Sequence, residues 1–184
     1  MKPSRPPEEV LRRVLKTSRL NGWSVAIFAG LCSLVSLAFG DPIGCSVGLL
    51  VTLGGALEIR GHRLLQRRDV DGMRWLVRSQ LLVLGVIWAY AVTRLLSFDQ
   101  ELLRELVTPD MRTTLSELGL TLDDILPLVR RVFYLLYGSV LAATLIYQGG
   151  LALYYRRRMS AVAQALALPP VASPPSAAAP PPHA

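Results

Sequence analysis

Two long apolar runs joined by a short turn stand out in the N-terminal third of the chain. Residues 23–40 and 43–57 are uncharged, and Asp41 in the turn is the only charged residue of 20–57. The first run has 18 residues, and as a helix it is about 27 Å long, close to the hydrocarbon thickness of a bilayer. A chain of 184 residues has too little other sequence to bury both runs on every side. We therefore predict a transmembrane hairpin.

The overall composition also favours a membrane protein. Hydrophobic residues make up 52% of the chain, its mean hydropathy is +0.40, and only 18% of its residues are charged, against about 25% in soluble domains. A net charge of +7 suggests nucleic-acid binding in a soluble protein, but here the basic residues lie beside the apolar segments. The lipid bilayer is therefore the expected partner, and no nucleic acid is expected.

Two further apolar segments complete the predicted fold, an all-α integral membrane four-helix bundle over residues 23–158. The predicted spans are, in chain order, about 23–40, 43–59, 75–96 and 132–155. Residues 97–127 carry seven acidic and two basic residues and are predicted to form a short helical extracytoplasmic segment. Near its end, Thr121 and Asp124 are spaced as in a capping box, which predicts the start of the helix that contains the fourth span.

The segments that flank the bundle are predicted to differ from each other. Residues 1–22 hold six basic residues, and we expect a cytoplasmic amphipathic helix that binds anionic lipid head groups and ends at Asn21-Gly22. A solvated basic leader is the alternative. Residues 159–184 are expected to form a cytoplasmic tail that is rich in proline and alanine and disordered from about residue 168.

The distribution of basic residues predicts the orientation. Residues 1–22, the 60–74 loop and the run Arg156–Arg158 contain six, five and three of the 20 basic residues, and four spans place all of them on one side of the membrane. By the positive-inside rule both termini are predicted to be cytoplasmic, in a bacterial inner membrane. Arg130-Arg131 lies on the other side and opposes this orientation, although longer loops are translocated largely regardless of charge.

Polar residues inside the predicted spans are the first candidates for a functional site. The predicted cluster, in the cytoplasmic half of the bundle, comprises Glu58, Arg78, Gln80 and Gln148. An ion pair between Glu58 and Arg78 at the membrane edge is the simpler interpretation, because long charged side chains reach the interface there. The alternative is that the cluster lines a path for an ion or a substrate.

Small residues four positions apart are the second candidates, because they let helix backbones approach closely in lipid. The pairs are Ala26 with Gly30, Gly44 with Gly48, and Gly138 with Ala142. Packing within the bundle is the simpler interpretation, and homodimerisation through the second span is the alternative.

The sequence contains no pattern that predicts catalysis. Glu58 and His62 lie on one helical face, but two ligands are only half of a metal site. Cys32 and Cys45 lie at different depths of the hairpin and are expected to be packing residues without a disulfide. No nucleophile, phosphate-binding or dinucleotide motif is present, so we expect no enzyme activity, no metal and no cofactor.

Two classes of function remain after these exclusions. The first is a non-enzymatic accessory, assembly or scaffold protein that acts through its helix faces or its acidic external segment, with a protein partner or a second copy. The second is an oligomeric small transporter or channel that uses the polar cluster. The sequence favours the first class because an accessory or scaffold function requires the fewest residues with a specific chemical role.

Overall fold

The computed structural model describes residues 6–97 and 121–168, together with the single positions 115, 117 and 119. Within these residues the protein is helical and contains no strand. The elements are α1 (Pro7–Ala38), α2 (Pro42–Gln66), α3 (Asp71–Leu96), α4 (Leu122–Thr144), a π-helical turn (Leu145–Gly149) and α5 (Gly150–Ala167). The helices predicted within 97–120 and the tail from 169 to 184 lie outside the described residues, apart from those single positions.

The described residues contain four helices that are long and apolar enough to cross a membrane. They are α1, α2, α3 and the continuous rod formed by α4, the π-helical turn and α5. Each predicted span lies largely within one of them. The predicted capping box is also confirmed: the backbone nitrogen of Asp124 donates to Oγ1 of Thr121 at 3.3 Å, and the Thr121 nitrogen donates back to Oδ2 of Asp124 at 2.9 Å.

Helix α1 does not break at Asn21-Gly22, and the prediction of a separate N-terminal helix was wrong on this point. Gly22 lies against α2, where a β-carbon would meet Cγ1 of Ile59 at 3.1 Å. The side chain of Asn21 is buried beside it. These two residues therefore mark a close crossing of two helices, and the basic leader and the first span form one helix.

The bundle is packed most tightly at the end where α2 leads into α3, which we call the basic end. The core there is formed by α1, α2, α3 and α5, and its buried residues are Val10, Val14, Leu65, Met73, Leu76, Tyr155 and Val162. Towards the opposite end a smaller core joins Ala29, Val51 and Val83. The principal contacts of α4 are with α3 and with the π-helical turn that continues it. The helices are therefore held together mainly at the basic end.

Glycines of α2 account for its close approach to α1. A β-carbon at Gly48 would lie 2.7 Å from Cβ of Ser33, and one at Gly55 would lie 2.7 Å from the backbone nitrogen of Ala26. Both distances are too short for any side chain larger than hydrogen unless a helix moves. The small-residue face of α2 is thus occupied by α1 within the same chain.

Candidate functional site

Glu58 lies in the interior of the bundle and is only 1% exposed. Its Oε1 accepts a hydrogen bond from the hydroxyl of Tyr155 at 2.8 Å, and its Oε2 accepts one from Nδ2 of Asn21 at 2.6 Å. Both donors are neutral side chains from other helices. The carboxyl group is therefore held at a fixed position by α1 and α5.

The hydrogen bonds continue from Asn21 to the π-helical turn. The hydroxyl of Tyr147 donates to Oδ1 of Asn21 at 2.8 Å. We call the four residues Asn21, Glu58, Tyr147 and Tyr155 the Glu58 cluster. An intramolecular hydrogen bond contributes about 0.5–1.5 kcal/mol to stability, so this cluster stabilises the contact of α1 and α2 with the last helical rod.

Two glutamine side chains are buried within the same bundle. Gln80 is 1% exposed and lies beside the Glu58 carboxyl, and Gln148 is 6% exposed. Nε2 of Gln80 donates to Oγ of Ser79 at 3.4 Å. The Oε1 atoms of Gln80 and Gln148 accept no hydrogen bond from any described residue. A buried unpaired polar group costs about 1–3 kcal/mol, which makes these oxygens the least satisfied polar atoms of the site.

The π-helical turn contributes Tyr147 to the Glu58 cluster and buries the next side chain, Gln148. A π-helix inserts an extra residue into a helical turn and shifts the direction of the side chains after it. Here the hydroxyl of Tyr147 bonds to Asn21 while the next side chain, Gln148, is buried. Neither this turn nor the role of its tyrosine was predicted from the sequence. The pair Gly149-Gly150 in the middle of an apolar helix is the only local signal of an irregularity there.

Arg78 was predicted to join Glu58, Gln80 and Gln148, and the structure places it elsewhere. Its side chain is exposed, and its guanidinium group lies 5.6 Å from the centroid of the Trp75 ring. Residues 78 and 80 are two positions apart, which is about 200° around a helix, so they point to opposite sides of α3. The described residues contain no ion pair between Arg78 and Glu58.

The predicted packing residues fall into two groups. Ala26, Gly30 and Gly48 face the partner helix of the hairpin, and a β-carbon at Gly44 would contact the Asp41 cap and Ser36. Gly138 and Ala142 on α4 are exposed instead, and a β-carbon at Gly138 would meet no described atom within 4 Å.

The remaining candidates from the sequence are one histidine and two cysteines. Nδ1 of His62 lies 3.1 Å from Oγ of Ser18 on α1. Cys32 and Cys45 are free thiols. No group of three or more histidine, cysteine, aspartate or glutamate side chains in the described part of the chain could hold a metal ion.

Comparison with known proteins identified no relative of this chain. No family model, curated protein or solved structure matches this chain. Its class is therefore defined by its own architecture, which is that of a multi-pass helical membrane protein.

Proposed function

We propose that this chain is a non-enzymatic accessory or scaffold protein of the bacterial inner membrane, with both termini in the cytoplasm. It binds a transmembrane helix of a partner protein along the side of α4 that faces away from α3. The proposal rests on one observation: the small residues of α2 are packed against α1 and α3, whereas those of α4 are exposed.

The small-residue face of α2 is already filled. Ser33 and Ala26 of α1 occupy the positions over Gly48 and Gly55, and Val83 of α3 lies against Gly54. A second copy has no access to that face, which argues against dimerisation through the second span. The Gly138-x-x-x-Ala142 pair has the same spacing and is not covered by any described residue, so it offers close backbone approach to a helix from outside.

The contacts of α4 support the same surface. Apart from the rod of which it is part, its principal neighbour is α3, and the indole nitrogen of Trp88 fixes the two helices by donating to the carbonyl oxygen of Leu141 at 3.2 Å. Large apolar side chains cover the other side of the rod, among them Leu135 and Ile146, which are 72% and 76% exposed. This side of α4 is apolar enough to face lipid. Because Gly138 has no side chain, the backbone of another helix can also approach it closely there.

Photocrosslinking in native membranes tests the proposal. A photoreactive residue at Ser139, which is exposed beside Gly138, is expected to give one discrete protein adduct. The matched control is the same residue at Leu34, which is 64% exposed on α1 and should give lipid adducts only. Lipid adducts alone from both positions contradict the proposal.

A second candidate function, transport of a cation, is favoured by the Glu58 cluster. The Glu58 carboxyl lies beside Gln80, whose Oε1 accepts no hydrogen bond from any described residue, and carboxylate and amide oxygens are ligands that hard cations prefer. We rank it second because the Glu58 oxygens already accept hydrogen bonds from Asn21 and Tyr155.

A further inference from the structure

A cleft of about 490 Å³ lies between α1 and α2 at the basic end. Its lining includes Lys16, Arg19 and Trp23 from α1 and His62 and Gln66 from α2, with two leucines of α1. We call it the α1–α2 cleft. It is separate from the Glu58 cluster and from the outer side of α4, so a ligand in the cleft does not require the partner proposed for α4.

The cleft has a cationic part. Lys16 and Arg19 are three residues apart and therefore share one side of α1. Neither forms an ion pair with any described acidic residue. Glu58, the carboxylate of α2 on this side of the hairpin, is buried and already bonded to other residues. The two positive charges are thus available to an anionic ligand.

His62 contributes a polar atom at the wall of the cleft. Oγ of Ser18 lies 3.2 Å from the carbonyl oxygen of Leu15, to which it donates, and 3.1 Å from Nδ1 of His62. The imidazole is 8% exposed and held in place by this contact. The backbone of Leu15 also hydrogen-bonds to the ring, so His62 forms a fixed part of the cleft wall.

The other part of the cleft is apolar. Leu20 and Trp23 come after Arg19 along α1 towards the membrane interior, and they are 72% and 51% exposed. Tryptophan is typical of the boundary between head groups and hydrocarbon. Cations at one end and exposed apolar side chains at the other match the shape of a charged amphiphile better than that of a soluble anion.

We propose that the α1–α2 cleft is a binding site for an anionic glycerophospholipid. The phosphate group lies between Lys16 and Arg19, and an acyl chain runs along Leu20 and Trp23. Basic pockets between helices at the cytoplasmic face of membrane proteins are typical sites for anionic lipid head groups.

Quenching of Trp23 by brominated lipids tests this site in the full-length protein. In a Trp75→Phe/Trp88→Phe background, Trp23 is the only tryptophan of the chain. Brominated phosphatidylglycerol is expected to quench it at a lower mole fraction than brominated phosphatidylcholine. Equal quenching by the two lipids overturns the proposal.

Paired charge variants distinguish a site from general attraction. Lys16→Gln/Arg19→Gln should weaken phosphatidylglycerol binding roughly 30-fold, because each such cation contributes roughly fivefold. Arg12→Gln/Arg13→Gln removes the same charge from α1 outside the cleft and should have a much smaller effect. Equal losses in the two variants overturn the proposal.

Two further measurements test whether a folding defect or a soluble phosphate ester explains the loss of lipid binding. Lys16→Arg/Arg19→Lys retains both charges and should restore binding, which a folding defect at these positions would not allow. Soluble glycerol phosphate should not displace the lipid at millimolar concentration, since it lacks the acyl chains. Full displacement assigns the cleft to a soluble phosphate ester and overturns the lipid proposal.

Discussion

The side-chain amide of Asn21 donates to Oε2 of Glu58 at 2.6 Å, at a point where neither residue is more than 5% exposed. Through this contact α1 is bonded to α2 inside the bundle, and Tyr155 bonds the other carboxyl oxygen from α5 at 2.8 Å. One carboxyl group thus connects the α1–α2 hairpin with α5, which is distant along the chain. The stability of the basic end should depend on it.

Loss of the Asn21 amide should destabilise the protein. We expect Asn21→Ala to lower the free energy of unfolding by about 1–3 kcal/mol, because Oε2 of Glu58 loses its donor while it stays buried. Denaturant titration of the detergent-solubilised protein, followed by circular dichroism, measures this. Ser46→Ala is the control, since its hydroxyl bonds only to the exposed carbonyl oxygen of Pro42. Equal effects of the two substitutions would contradict the structural role of the cluster.

Adding a methyl group to Gly55 and to Gly138 should have opposite consequences. At Gly55 the new carbon meets the backbone nitrogen of Ala26 at 2.7 Å, so Gly55→Ala should cost about 1–3 kcal/mol of stability. A β-carbon at Gly138 would meet no described atom within 4 Å, so Gly138→Ala should be neutral or stabilising by up to about 1 kcal/mol, as alanine favours helix. Thermal unfolding of both variants in one detergent checks the expectation, and a stable Gly55→Ala protein would contradict the packing of α1 on α2.

Flux measurements separate the two candidate functions. We expect the purified protein in liposomes to conduct no cation, since both Glu58 oxygens are bonded within the bundle. A cation flux that Glu58→Gln abolishes and Arg78→Gln leaves unchanged would replace the accessory function with transport. Arg78 is the matched control because its side chain is exposed beside Trp75 and outside the cluster.

Reporter tags test the orientation. A reporter at either terminus should be active in the cytoplasm, and a reporter inserted near Thr114 should be active outside, because the side with residues 60–74 carries most of the basic residues. Fusions that report phosphatase activity outside the membrane and fluorescence inside it make the measurement. External termini would reverse the proposed topology.

Hydropathy and capping signals were sufficient to predict the helices but not their internal contacts. The four spans can be read from runs of apolar residues, and the start of α4 from the spacing of Thr121 and Asp124, since both signals are local. Asn21-Gly22 has the composition of a helix end, yet α2 packs against it and the helix continues. Whether a glycine ends a helix or forms a close helix contact depends on a neighbouring helix that is distant in sequence.

The site was only partly predictable for the same reason. Glu58 and Gln80 were identified because polar residues within apolar segments are rare. Tyr147 and Tyr155 resembled interface aromatics, and only the path of the π-helical turn and α5 brings their hydroxyl groups to Asn21 and Glu58. The position of Arg78 could have been predicted better, because helical geometry alone places it on a different face of α3 from Gln80.

The continuity of α1 has a mechanical consequence. Its 32 residues extend for about 48 Å, which exceeds the roughly 30 Å of hydrocarbon in a bilayer. The surplus extends beyond the hydrocarbon without a hinge, and there Val10 and Val14 are buried in the core of the basic end. Any tilt of the first span is therefore coupled to this core outside the hydrocarbon, so the span and the basic end must move together.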